Sequence, residues 1–315
     1  MVNEYTSVAT TPGLGDNLVK AAYDLALGRA LNSTPLLRQF ATVRTNNPSF
    51  QGSSITKNKV PYFSEATVTA AKTPLTEEAD VDSTKMPATV PVTLTPKEYG
   101  FAVTKTKLLS HRTFAPFDQQ IAENVADHAA KVIDELVQDQ IKADITEVTV
   151  DGGLESALTN ADKLTASWIR KTFTGFQTDN VRSYDGQFYT AAIHPDVLHD
   201  LREETGAGSW RISREYVDPA KLLTGEFGEF EGVRFISNNR VRKGAGATSA
   251  VTYNTYFFGA GGLWEHVVED VHAVISPVVD KLQRFQTVGW YGDLGWKVYE
   301  PKAIRIMLSS SSLSA

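Results

Sequence analysis

The 315-residue chain contains no cysteine. That excludes disulfides, thiol nucleophiles and zinc–thiolate centres, and it fits a reducing compartment. No run of 18 apolar residues occurs, so no segment is expected to cross a membrane as a helix. The opening MVNEYTSVATTPGLGD has neither a basic stretch nor an apolar core, and so predicts no secretory leader. Positive charge is not in excess, because 31 Lys and Arg face 37 Asp and Glu for a net charge of −6. A protein whose whole surface grips nucleic acid needs the opposite balance. Phosphate-binding GxxxxGK[ST], the GxSxG nucleophile elbow and HExxH zinc spacing are all missing. What remains is ordinary for a folded protein: 42% hydrophobic and 22% charged residues rule out a disordered chain.

Three stretches hold residues with chemical potential. In AAIHPDVLHDL, His194, Asp196, His199 and Asp200 fall within seven positions. Asp196, His199 and Asp200 share a helix face at i, i+3 and i+4, which is conceivable metal-ligand spacing. No further ligand is signalled, however, and Pro195 suits the first position of a helix, with Asp196 at its positive end. The structural reading is a helix start with a solvated polar face. WEHVVEDVH offers Glu265, His266, Glu269 and His272, but Val267, Val268, Val271 and Val274 favour a strand that splays those groups apart. FFGAGGLWE has glycines after a strand but not the spacing of a dinucleotide loop, so they read as turn glycines.

The organisation is more informative than the chemistry. Residues 1–60 read as an arm. It holds an amphipathic helix over Leu18, Ala21, Ala22, Leu25 and Leu27 to about Leu31, then extended chain through LLRQFATVRTNNPSF. Its six cations, among them Arg29, Arg38 and Arg44, outnumber three acids, a balance of +3 in an acidic protein. Residues 55–96 alternate in SEATVTA and TVPVTLT and are punctuated by five prolines, which predicts a long two-stranded arm with an acidic tip at Glu77, Glu78, Asp80 and Asp82. Such an arm is marginal alone and needs another surface, most economically a second copy.

Glu98–Ser110 predicts a strand and turn. From Pro116 the longest helix follows, with Phe117, Ile121, Val125, Ala129, Val132, Leu136, Ile141 and Ile145 on one stripe and an acidic opposite face that includes Asp134 and Asp144. EVTVDGG is a strand and turn. TNADKLTASWIRKTFTGFQTDN is a second helix with Leu164, Trp168, Ile169 and Phe173 on one side. From Phe188 strands and helices alternate as in a small α/β domain, RKGAGATS reads as a loop, the chain returns to strands after Glu265, and SSSSLSA reads as a frayed tail.

Arm, hairpin, long helix, α/β domain and return strands, in that order, resemble the tailed-phage major capsid proteins of the Hong Kong 97 fold. The stretches VTLTPKEYGFAVTKTKLLS, FYTAAIHPDVLHDLRE, GEFGEFEGVRFISNN and QTVGWYGDLGWKVYEPKAIRIM are similar to the N-four-like major capsid family. The resemblance covers roughly residues 90–310. It implies an α+β fold with residues 1–54 as N-terminal arm and 55–97 as extension loop. It further implies a peripheral domain of 98–159 and 266–315 with a spine helix over 116–145, and an axial domain of 160–265. It implies a non-enzymatic shell protein of the virion, assembled in the host cytoplasm without cofactor or membrane. The subunit would form pentamers and hexamers around packaged double-stranded DNA, which it would contact non-specifically. Portal, scaffolding and decoration proteins would be its other partners. Glu77, Glu78, Asp80 and Asp82 become an assembly interface, and Arg29, Arg38 and Arg44 an inward-facing arm. No isopeptide crosslink is carried over, because no catalytic carboxylate can be assigned to one. An encapsulin shell is the nearest alternative reading, and a metal-dependent hydrolase using the His194–Asp200 region is the alternative of another class.

Overall fold

The computed structural model describes residues 36–46, 52–72, 74, 77, 80, 83–112, 117–184, 186–205, 226–247, 250–275, 282 and 284–313. The helix expected over residues 18–31, Arg29, Glu78, Asp82 and Pro116 lie outside these residues.

Two sheets organise the chain. The first has four strands, β1 (Val43–Asn46), β11 (Leu263–Ile275), β12 (Phe285–Val298) and β4 (Lys97–Thr106), in that spatial order. β11, β12 and β4 run antiparallel, while β1 lies parallel to β11 with Val43 opposite Trp264. The second has seven, in the order β5 (Val148–Thr149), β13 (Ile304–Ser310), β10 (Val251–Phe258), β6 (Tyr189–Ile193), β8 (Val233–Ser237) and β7 (Glu226–Phe230), with β9 (Lys243–Ala245) paired to β10. β5 and β13 thus sit in the second sheet, although they fall in the sequence segments 98–159 and 266–315 assigned to the peripheral part.

The central strands of the second sheet are buried on both faces, which is why YTAAI and VTYNTYFF lack polar alternation. Neighbouring residues face different cores. Ala191, Phe257 and Met307 pack with α4 (Ala166–Thr178) and α5 (Pro195–Glu203). Ala192, Tyr256, Phe258 and Ile306 face the opposite way, toward α3 (Phe117–Asp144).

α3 has 28 residues, about 42 Å at 1.5 Å per residue. Its length follows from having two sheets to cover. Ile121, Val125 and Ala129 lie over Trp290 of β12, whereas Ile133, Val137 and Ile141 join the core of the second sheet. The stripe read from sequence is the buried one, with its centre shifted so that Val132 and Leu136 are half-buried. Asp134, expected on the acidic outer face, is instead 1% exposed, and Asp144 holds Lys297.

Several local expectations are corrected. LLRQFATVRT is not simply extended: Leu37–Phe40 form a 3-10 turn, and Leu37, Phe40 and Ala41 are core residues. Phe40 stacks on Phe258 with ring centroids 4.4 Å apart. In the loop, Glu65–Ala70 form the short helix α1, not a strand. Ser64 precedes it in extended conformation, and alanine-rich EATVTA has enough helix propensity to prevail where no neighbouring strand offers hydrogen bonds. The two-stranded part is therefore only five residues a side, β2 (Ile55–Lys59) against β3 (Val90–Leu94). Lys107–Arg112 continue as the helix α2 where a turn was expected, and Lys243–Ala245 form a strand where a loop was expected. α4 begins at Ala166 and buries Ala166, Ile169, Thr172 and Phe176. Ser309, Ser310 and Ser311 are fully buried, so the serine tail is anchored rather than frayed.

Candidate assembly surfaces

The N-terminal segment is tied to the body by buried acids. The carboxylate of Asp134, in mid-α3, accepts the backbone N–H groups of Leu36 (2.9 Å) and Leu37 (2.6 Å). It caps the 3-10 turn from outside, as an N-terminal side chain would. Burial pushes its pKa up, and those two N–H groups counter part of that push. Glu265 of β11, also 1% exposed, lies between two arginines of the segment: Arg38 Nε is 2.6 Å from Oε1 and Arg44 Nε 3.2 Å from Oε2. Arg38 also reaches Asp270 at 2.9 Å. Both guanidinium groups are thus held by carboxylates of their own chain. His266 beside them is fully buried, and burial lowers its pKa. The residues of WEHVVEDVH are splayed along a strand as its valines required, and only the exposed pair His272 and Glu269 meet, at 3.6 Å.

The extension loop is fixed at its base and free at its tip. Lys57 Nζ lies 5.8 Å from the Trp264 ring and 5.6 Å from that of Tyr299, within cation–π range. Lys59 pairs with Glu300 and also approaches Tyr299. Beyond this clamp the loop presents apolar groups to solvent: Tyr62 is 91% exposed and Met86 65%, with Val60, Phe63, Val68 and Val90 also exposed. Of the expected acidic tip, Glu77 and Asp80 are described and both are exposed. A second apolar patch lies at the far end of the first sheet, where Leu108, Leu109, Ile275, Leu282 and Phe285 are exposed.

The His194 stretch is a strand-to-helix joint. His194 is the N-cap of α5, and its Nδ1 accepts the Asp196 backbone N–H at 3.2 Å. Its ring stacks on Tyr253 with centroids 4.4 Å apart. The polar face was expected to be solvated, but His194 and Asp200 are both 5% exposed. Burial lowers the His194 pKa to about 4, the Asp196 carboxylate opposing. Asp196 accepts the Tyr253 hydroxyl at 2.7 Å instead of joining His199 and Asp200. His199, Asp200 and Glu203 do offer ligand-type atoms within 4.8 Å of one another. Asp200, however, is committed: Lys163 Nζ is 3.0 Å away, and the backbone N–H and hydroxyl of Ser312 both donate to it. Burial would raise its pKa, but the bonds from Ser312 and Lys163 outweigh that and lower it. The group ties the C-terminal serines to α5.

Sequence reasoning missed Asp134 and Glu265 as organising residues. The available signal for Asp134 was its place beside Ile133 and Val137 on the buried stripe, where a carboxylate requires dedicated donors.

No protein-family model and no curated protein matches the chain. Solved structures do match, along nearly the whole length. The capsid of cyanophage Pam1 superposes with a TM-score of 0.72 at 12% identity, over 96% of this chain and 99% of that one. The capsid of cyanophage P-SCSP1u gives 0.72 at 13% identity, over 96% of each. That of Ralstonia phage GP4 gives 0.69 at 13% identity, over 96% and 98%. With two sheets bridged by one long helix and a loop projecting beyond them, the chain has the Hong Kong 97-like fold of phage capsid proteins.

Proposed function

We propose that the chain is the major capsid protein of a tailed phage, a structural subunit that self-assembles into the pentamers and hexamers of an icosahedral shell around double-stranded DNA. The observation that carries this is the projecting loop, held rigidly at Lys57 and Lys59 yet presenting Tyr62 and Met86 to water. Exposed apolar groups on a marginal two-stranded element are stabilised by burial against another molecule. The phage capsids that share the fold from end to end favour a copy of the chain itself. On this reading residues 1–54 are the arm, 55–97 the extension loop over a neighbour, 98–159 and 266–315 mainly peripheral, and 160–265 mainly axial. Glu77 and Asp80 belong to the subunit contact, and Arg29 lies on the inner side near DNA. The virion shell is its location, with portal, scaffolding and decoration proteins as further partners.

Negative-stain imaging and sedimentation of the purified chain test the proposal. Uniform shells support it, and DNA inside them points to a phage coat. Shells holding an enzyme cargo would indicate an encapsulin. A monomer with stoichiometric metal lost on changing His199 and Glu203 would indicate the hydrolase reading and overturn it. Replacing residues 65–89 by a short Gly/Ser linker leaves β2 and β3 intact. The variant should stay folded, as judged by circular dichroism, and make no shells. Normal shells from it would remove the loop from assembly.

A further inference from the structure

A groove of about 440 Å³ runs between α3 and the first sheet. Its walls include Ala122, Ala126 and Ala130 on the helix, and Val271, Val288 and Trp290 on the strands. The three alanines form an i, i+4, i+8 row, and Ala122 and Ala126 are exposed among the described residues. Leu36, Arg38 and Gln39 close one side of it. The chain therefore arrives at this groove directly from residues 1–35.

We infer that this groove seats the chain's own residues Asn17–Leu31, folded back along α3 as a short antiparallel helix. Leu18, Ala21, Ala22 and Leu25 supply one apolar face at helical spacing. Fifteen helical residues span about 22 Å, and the groove wall from Ala122 to Ile133 about 17 Å. Alanines on both faces allow the close approach of two helices, roughly 8 Å between axes. The connector Asn32–Pro35 holds four residues, reaching at most about 14 Å when extended. That turns the chain back at Leu36 and does not carry it to a distant subunit, so the occupant is the same chain. Charge agrees: Lys20 and Arg29 belong to the incoming segment, and Glu123 and Asp127 lie on α3 beside the alanine row. The inference concerns the fold of one chain and stands apart from shell building.

The absence of native cysteine makes the test clean. Ala126→Cys is combined in the full-length chain with Leu18→Cys, Ala22→Cys or Leu25→Cys on the apolar face, and with Lys20→Cys on the opposite face as control. Ala126 is exposed, so its substitution leaves the fold intact, which the melting temperature of each reduced variant verifies. Under copper–phenanthroline oxidation at least one apolar-face pair should form an intrachain disulfide ten or more times faster than the control pair, read on non-reducing gels. Interchain dimers from the same pairs would assign the groove to a second copy and overturn the inference. Rates no higher than the control for every apolar-face pair would overturn it too.

Discussion

His194 caps a helix with a ring nitrogen where serine or aspartate would ordinarily offer oxygen. That role requires the neutral ring, and it makes stability depend on pH with a definite sign. Its pKa is about 4 in the fold and about 6.5 in the unfolded chain. Above pH 6.5 neither state binds the proton and the full contribution is present. Between pH 6.5 and 4 the unfolded chain takes up the proton first, so stability is lost across that window. Denaturant titrations should show the parent losing about 2–3 kcal/mol more than His194→Gln on going from pH 6.5 to 4. At pH 7.5 His194→Gln should itself destabilise by about 1–2 kcal/mol. His199→Gln, on an exposed face, should stay within about 0.5 kcal/mol. Equal effects would contradict the capping role. For Asp134→Ala, which strands two backbone N–H groups, a loss of about 2–4 kcal/mol is expected, and Asp134→Asn should recover part of it by keeping one acceptor. At this scale the sequence was half legible. Pro195 and Asp196 marked the helix start, whereas the burial of His194 and Asp200 depends on Tyr253, Lys163 and Ser312, each far away in sequence.

Among the elements, legibility followed length. α3 was readable within a residue or two, because its apolar stripe repeats over 28 residues. The six residues of α1 were misread, since alternation in SEATVTA and a single helical turn and a half cannot be separated by periodicity alone. Pairing of β1 with β11 was invisible because parallel partners 220 positions apart carry no local signal. Packing between elements gives two predictions. In β12, a Cβ on Gly289 would lie 2.5 Å from the Phe101 carbonyl oxygen of β4. Gly289→Ala should therefore push β4 outward and lower stability by about 1–3 kcal/mol in thermal or denaturant unfolding. Changing Lys57 and Lys59 together to Ala removes the clamp at the loop base. Hydrogen exchange of β2 and β3 should then quicken by roughly tenfold, equivalent to about 1–2 kcal/mol, with α3 unchanged.

At the scale of the molecule, α3 is the member shared by both sheets, so the two halves of the fold are expected to unfold together. Calorimetry should give one cooperative transition, and a well-separated pair of transitions would show the sheets to be independent. Charge sets the remaining whole-molecule expectation. Residues 1–60 carry +3 and the whole chain −6, leaving −9 on residues 61–315 by difference. Arg38 and Arg44 are already neutralised by Glu265 and Asp270. Gel-shift assays with the free subunit should show weak DNA binding without sequence preference, abolished by about 0.2 M salt. Tight, sequence-selective binding would contradict a shell that touches DNA only in passing.

The parallel seat of β1 on β11 also places a clock in synthesis. Val43 leaves the ribosome long before Trp264, its partner across the ladder. At about 5–20 residues per second the intervening 221 residues take roughly 10–45 s to make. Through that interval Leu37 and Phe40 wait without the β10 and β11 surfaces that bury them. The segment that begins the described chain is thus among the last to reach its place, and a subunit becomes complete only after its C-terminal strands have been released.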